Sequence, residues 1–174
     1  MTTDVLARAF GLIRDVPDWP SPGVLFRDIT PLLADAKAFA SVIEALAEPA
    51  GDADVVVGVE ARGFLLGAAV ALAAGVGVVP VRKAGKLPQV AASREYELEY
   101  GTATLELPAG GVSPATKTYL IDDVLATGGT LRASCDLVEQ AGGIVTGIGV
   151  LLELDALAGR AQLTGRTLHT LLHG

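Results

Sequence analysis

Four apolar runs constrain this chain more than any other feature: Val55–Val59, Val76–Val81, Thr118–Ile121 and Ile144–Leu152. None alternates polar with apolar residues, so each reads as a strand buried on both faces. Helical segments, Gly63–Ala74 and Thr130–Ala141, lie between them. Buried strands alternating with helices predict an α/β fold with a central parallel sheet flanked by helices. Ligands in such sheets bind beyond the carboxyl ends of the strands. The residues after Val59, Val81 and Ile121 are therefore the ones to read for chemistry.

A length of 174 residues fits one domain. With 51% apolar and 19% charged residues the chain is not intrinsically disordered. A net charge of −7 argues against a nucleic-acid-binding coat, which needs a positive face. The single cysteine, Cys135, excludes an internal disulfide framework and a cysteine zinc site, and its helix spacing with Leu131 and Val138 places it in the core. Asp4, Arg8, Arg14 and Asp15 break any signal-peptide core. Gly63–Val81 is free of charge over nineteen residues, near the length of a membrane span. Its glycines, Pro80 and β-branched end instead predict a buried helix, a turn and a buried strand. The expectation is a soluble cytoplasmic protein.

Towards the N-terminus, Leu6, Ala9, Phe10 and Ile13 have helical spacing. Three prolines and a glycine in Pro17–Gly23 predict an extended, ordered loop. Thr30-Pro31 reads as an N-cap followed by an N1 proline, opening a helix that continues to Pro49. His169 and His173, on a strand-like C-terminal run, would lie ~13 Å apart, too far to share a zinc ion.

Each strand end carries a chemical signal. After Ile121 comes Asp122-Asp123-Val124-Leu125-Ala126-Thr127-Gly128-Gly129-Thr130. Glycines let backbone N–H groups approach a phosphate, and a helix N-terminus adds partial positive charge. The two acids can accept hydrogen bonds from sugar hydroxyls, so the segment suits a ribose phosphate. The spacing fits neither a P-loop nor a dinucleotide fingerprint. After Val59, Glu60-Ala61-Arg62-Gly63 offers a guanidinium fork for a second anion. After Val81, Arg82, Lys83 and Lys86 fall within five positions. With Arg62 they predict four cations converging on one pocket, for a ligand anionic at both ends.

The Tyr119–Thr130 segment resembles the phosphoribosyl-pyrophosphate (PRPP) motif of the type I phosphoribosyltransferases. Pro17–Leu32, Gly58–Phe64, Arg82–Pro88 and Tyr96–Gly101 narrow the resemblance to the adenine phosphoribosyltransferases, collinear from about residue 8 to residue 160. The resemblance implies that adenine plus PRPP gives AMP plus pyrophosphate, with Mg²⁺ bound mainly through PRPP or pyrophosphate. It implies a single domain over 1–174, with an N-terminal hood mainly over 1–35, a mobile catalytic loop at about 87–101, and a homodimer. Asp122 and Asp123 would hold the ribose hydroxyls. Ala126, Thr127, Gly128, Gly129 and Thr130 would cradle the 5′-phosphate. Arg62 and Lys86 would bind pyrophosphate, with Arg82 and Lys83 close by.

In this family adenine is read largely by main chain, here around Leu25, Phe26 and Arg27. Backbone C=O and N–H groups match the N6 donor and N1 acceptor of adenine, whereas a 6-oxopurine presents the reverse pattern. Phe26 would pack on the ring or belong to the core. Glu99 is the catalytic residue the resemblance singles out, placed to offset positive charge on the purine or to move a proton at N7. The family also often has a non-proline cis peptide in the first anion loop, near Glu60-Ala61. Two rivals stay open: a transferase for another base, xanthine or hypoxanthine, and a non-catalytic PRPP-sensing regulator.

Overall fold

The computed structural model describes residues 3–97 and 101–174. The chain separates into two units, Met1–Ala45 and Leu46–Gly174.

The first unit contains α1 (Thr3–Phe10), β1 (Arg14–Pro17), β2 (Leu25–Asp28), α2 (Thr30–Ala34) and most of α3 (Ala36–Ala47). The proline-rich segment was expected as an extended loop, and it is the connection of an antiparallel hairpin. Arg14 pairs with Asp28 and Pro17 with Leu25 across β1 and β2. Two cross-strand ion pairs fix that register, Arg14–Asp28 at 2.9 Å and Arg27–Asp15 at 2.7 Å. Inside the connection, Asp18 Oδ1 accepts from the Gly23 N–H at 2.7 Å. Trp19 stands edge-on to Phe26 with ring centroids 4.4 Å apart.

Two local expectations are corrected here. The cap of α2 is Ile29, not Thr30, and it is Asp28 whose carboxylate accepts from the Thr30 N–H at 2.9 Å. The helix expected to run to Pro49 breaks at Asp35, whose backbone is extended. Its Oδ1 accepts from the N–H groups of Lys37 and Ala38 at 3.0 and 2.9 Å, so Asp35 restarts the chain as α3. Arg8 on α1 holds the other carboxylate oxygen at 2.9 Å.

The second unit is built on a seven-stranded sheet with β3 (Val55–Val59), β4 (Gly77–Lys83), β5 (Val90–Glu97), β6 (Thr102–Pro108), β7 (Lys117–Leu125), β8 (Ile144–Glu153) and β9 (Leu168–His173). The spatial order is β5-β6-β4-β3-β7-β8-β9. The five strands from β4 to β9 are parallel, as the buried runs predict, while β6 and β5 are antiparallel additions. β5 forms one edge, and its pairing with β6 is irregular between Val90 and Ala92.

Two helices cover opposite faces, α4 (Arg62–Ala74) between β3 and β4, and α5 (Gly129–Gln140) between β7 and β8. The alternation along β3 shows why the run has no polar member. Val55, Val57 and Val59 join the core that includes Leu131, Cys135 and Val138 of α5. Val56 and Gly58 face α4, where a Cβ on Gly67 would lie 3.0 Å from Gly58 Cα. Cys135 is fully buried and burial pushes its thiol up to about 12, so it is inert packing. The charge-free Gly63–Val81 stretch is α4, a left-handed Gly75 cap and the first part of β4. Among the described residues no helix is long and apolar enough to cross a membrane.

This order carries a topological consequence. From β3 the chain crosses to β4 on one side, and β7 then joins β3 on the other. The strand order therefore reverses at β3/β7, and a crevice opens beyond their carboxyl ends.

Candidate active site

The crevice is present as a cleft of about 450 Å³ beyond β3 and β7. Glu60, Arg62, Lys83, Asp122, Asp123 and Thr130 are among its walls. Asp122 and Asp123 were expected just after a strand that ended at Ile121. The strand instead continues to Leu125, so both acids lie within β7, 8% and 5% exposed. Parallel pairing of Asp122 with Val150 and of Val124 with Leu152 on β8 carries the ladder that far.

Two buried neighbouring carboxylates are costly unless compensated. Burial and then the charge of Asp123 push the Asp122 carboxyl well above the usual carboxylate range. Burial also raises Asp123, against the opposing charge of Arg62. The Asp123 N–H donates to Asp122 Oδ1 at 2.8 Å, and Arg62 Nε lies 2.8 Å from Asp123 Oδ2. Among the described residues no hydrogen bond is aligned on that buried oxygen, and Arg62 holds it by charge. The pair titrates as a unit and can both donate and accept toward a diol.

Gly63 makes this proximity possible. A Cβ there would lie 2.9 Å from both Asp122 Oδ1 and the Ile121 carbonyl oxygen, so only glycine lets the first turn of α4 abut β7. The Glu60-Ala61 peptide is cis, as the resemblance implied.

The four cations divide into two groups. Arg62 and Lys83 line the cleft. Arg82 and Lys86 are drawn onto Glu60: Arg82 Nε lies 3.3 Å and Lys86 Nζ 2.5 Å from its carboxylate, and the Lys83 N–H donates to it at 3.0 Å. Burial works to raise the Glu60 carboxyl, but the hydrogen bonds from Lys86 and Lys83 and the charges of Lys86 and Arg82 outweigh it and hold it low. Sequence reading saw the cations and missed the carboxylate that gathers them.

Beyond β7, Ala126–Gly128 turn into α5. Gly128 is the N-cap of that helix at φ +86°, a left-handed conformation that favours glycine. Asp122, Ala126, Thr127, Gly128 and Thr130 enclose a nook of about 70 Å³ with the helix N-terminus at its end. Tyr96 of β5 lines the adjoining cleft, its hydroxyl accepting from Thr130 Oγ1 at 3.3 Å. A Cβ on Gly128 would lie 2.4 Å from the Gly159 carbonyl oxygen, a contact that composition and spacing gave no means of anticipating.

Of the remaining candidates, Leu25, Phe26 and Arg27 lie on β2 in the first unit. Glu99 lies outside the described residues, as do Leu98 and Tyr100. His169 and His173 both lie on β9, and His173 Nδ1 lies 2.8 Å from Asp155 Oδ1.

Comparison with known proteins agrees with this geometry. The family described as "Phosphoribosyl transferase domain" matches residues 32–166. An adenine phosphoribosyltransferase of Saccharopolyspora erythraea is 59% identical over 167 residues, 96% of this chain and 91% of that protein. The crystal structure of adenine phosphoribosyltransferase from Rhodothermus marinus is similar at a TM-score of 0.94 and 44% identity, covering 99% of this chain and all of that one. The Saccharomyces cerevisiae enzyme, crystallised with an imino-altritol bisphosphate and adenine, is similar at a TM-score of 0.92 and 36% identity, covering 98% of this chain and all of that one.

Proposed function

The chain belongs to the adenine phosphoribosyltransferase family, and on that premise we propose that it transfers the phosphoribosyl group of PRPP to adenine, giving AMP and pyrophosphate. The observation that carries the reading is the buried acid pair followed by a glycine turn and a helix N-terminus, with Arg62 beside the pair and Lys83 in the wall of the same cleft.

Ala126–Thr130 bind the 5′-phosphate through backbone N–H groups and the α5 N-terminus. Asp122 and Asp123, which line the cleft, orient the ribose hydroxyls. Arg62 and Lys83 receive the diphosphate, and Arg82 and Lys86 join them by exchanging Glu60 for the ligand. Anchoring both ends holds the anomeric carbon in line between the base and the departing group. The cations stabilise the charge that develops as the C–O bond breaks.

Leu25, Phe26 and Arg27 read the base, the extended β2 backbone supplying both a donor and an acceptor. Glu99 offsets charge on the purine at N7. The segment 87–101, which includes strand β5, excludes water from the cleft, and residues 1–35 act as the hood.

Mg²⁺ is the cofactor of this reading. Held mainly through the oxygens of PRPP or pyrophosphate, a hard cation that keeps its waters would suit a cleft whose walls carry carboxylates. When bound it supplies charge neutralisation on the diphosphate. The enzyme works as a homodimer: α4 presents Leu65 and Leu72, 55% and 83% exposed, on a face without charge. We place it in the cytoplasm, where its phosphorylated substrate, PRPP, is held.

The test is pyrophosphate and nucleotide formation from PRPP and Mg²⁺ with adenine, hypoxanthine or xanthine supplied in turn, the products being AMP, IMP or XMP. The reading expects turnover with adenine alone, and a loss of about 10²–10³ in kcat/KM for Asp123→Asn. Turnover with a 6-oxopurine only, or an unimpaired Asp123→Asn, overturns it.

A further inference from the structure

Behind the phosphate turn the chain forms two short 3-10 turns, Asp155–Leu157 and Gly159–Leu163, which the mechanism above does not use. Gly159 is buried beneath the phosphate turn, and the two backbones touch with no side chain between them. A Cβ on Gly159 would lie 2.1 Å from the Ala126 carbonyl oxygen and 2.9 Å from the Gly128 nitrogen. The reciprocal Cβ on Gly128 would strike the Gly159 oxygen. Glycine at both positions lets the two backbones pack directly on one another, where a side chain on either would push them apart.

The second turn is held by more than its own hydrogen bonds. Arg160 donates from Nε and Nη2 to the two oxygens of Glu153, at 3.0 and 2.6 Å. Glu153 ends β8 and is 4% exposed. Thr170 Oγ1 on β9 donates to the same carboxylate at 2.9 Å. Such a two-pronged contact fixes direction as well as distance. Further along, Gln162 Oε1 accepts from Arg132 Nη1 at 2.9 Å, tying the turn to α5, and Leu163 anchors its end in the core. The Leu154 N–H donates to the Leu125 carbonyl at 2.9 Å, securing the other end beside β7.

We infer that Gly159–Leu163 is the floor of the phosphate turn, and that Glu153, Arg160 and Gln162 are positioning residues that hold Ala126–Gly128 in the conformation that binds the sugar phosphate. The inference rests on the proposed transferase reading. It separates these residues from general structural ones, because they act on one half of one substrate. Arg160 is half exposed while the Glu153 carboxylate it holds is buried, so Arg160→Ala also costs global stability and Arg160→Lys, which keeps the charge, is the cleaner probe. The loss of the Arg160 fork is felt through the geometry of the turn.

The test varies PRPP at saturating adenine, and adenine at saturating PRPP, and measures ribose 5-phosphate binding by calorimetry without turnover. Arg160→Ala is expected to raise the KM for PRPP about tenfold or more and weaken ribose 5-phosphate to match, leaving the KM for adenine within about twofold. Arg160→Lys, which keeps the charge and loses the fork, is expected to recover part of the loss. Gln162→Ala is expected to raise the KM for PRPP by about two- to threefold. If Arg160→Ala does not fold, Arg160→Lys and Gln162→Ala decide the matter. Unchanged PRPP and ribose 5-phosphate parameters in the variants that fold overturn the inference, as does a parallel rise in both KM values. A wild type that makes no AMP overturns the transferase reading instead, and the ribose 5-phosphate arm then judges the clamp alone.

Discussion

Three glycine-to-alanine variants separate two costs that coincide at the phosphate turn. Gly75 lies at φ +73° with nothing within 4 Å of a built Cβ, so Gly75→Ala carries backbone strain alone. Gly159→Ala carries collision alone, against the Ala126 oxygen at 2.1 Å. Gly128→Ala carries both, at φ +86° and 2.4 Å from the Gly159 oxygen. Left-handed backbone costs a non-glycine residue about 1–2 kcal/mol, and overpacking against unyielding atoms costs about 1–3 kcal/mol. Gly128→Ala should therefore lose about 2–5 kcal/mol, against about 1–2 for Gly75→Ala. For a protein of this size that corresponds to roughly 4–20 °C and roughly 2–8 °C in Tm. Thermal unfolding followed by circular dichroism, with and without ribose 5-phosphate, reads both the loss and the ligand's stabilisation. The ligand shift should survive in Gly75→Ala and vanish in Gly128→Ala and Gly159→Ala. A Gly128→Ala protein no less stable than Gly75→Ala, with its ligand shift intact, would refute the reasoning.

Two further outcomes are expected. Burial raises the Asp122 carboxyl in the folded state, so this group's contribution to stability is present below the ordinary carboxylate pKa and lost as pH rises through the folded value. Asp122→Asn keeps an acceptor for the Asp123 N–H and removes the charge. Its Tm should exceed the wild type's near pH 7, the gap closing toward pH 4, while AMP formation falls; a gap that widens on acidification would contradict the sign. Leu72→Glu on the outer face of α4 should convert a dimer to a monomer in sedimentation equilibrium, and a variant that stays dimeric places the interface elsewhere.

The parallel core was legible because buried strands advertise themselves. Val55–Val59 has no polar member, and none is tolerated between two covering helices. The acid pair and glycine turn were legible as a candidate site because their residue types serve little else in a core. What escaped reading depended on partners distant in sequence. Asp122 to Leu125 stay in the strand because β8 extends alongside them, a fact local pattern does not contain. Pro17–Gly23 marked a connection correctly, yet the hairpin around it follows from charges fourteen and twelve residues apart. Asp35 looked like a polar residue on a long helix and is the cap that divides it. The Glu60 pairing and the Gly159 floor arise from backbone proximity between separate loops, and no periodicity reports that.

The edge strand β5 has a consequence for life at cellular concentrations. An open edge offers unpaired N–H and C=O groups to any other chain and can template aggregation. Here the edge carries exposed Ser93, Arg94, Glu95 and Glu97, and its register is broken between Val90 and Ala92. Alternating charge and a local kink deny a second molecule the flat, apolar ribbon it would need to dock in register. The same hairpin that brings Tyr96 to the phosphate turn thus also keeps the sheet from growing across molecules at this edge.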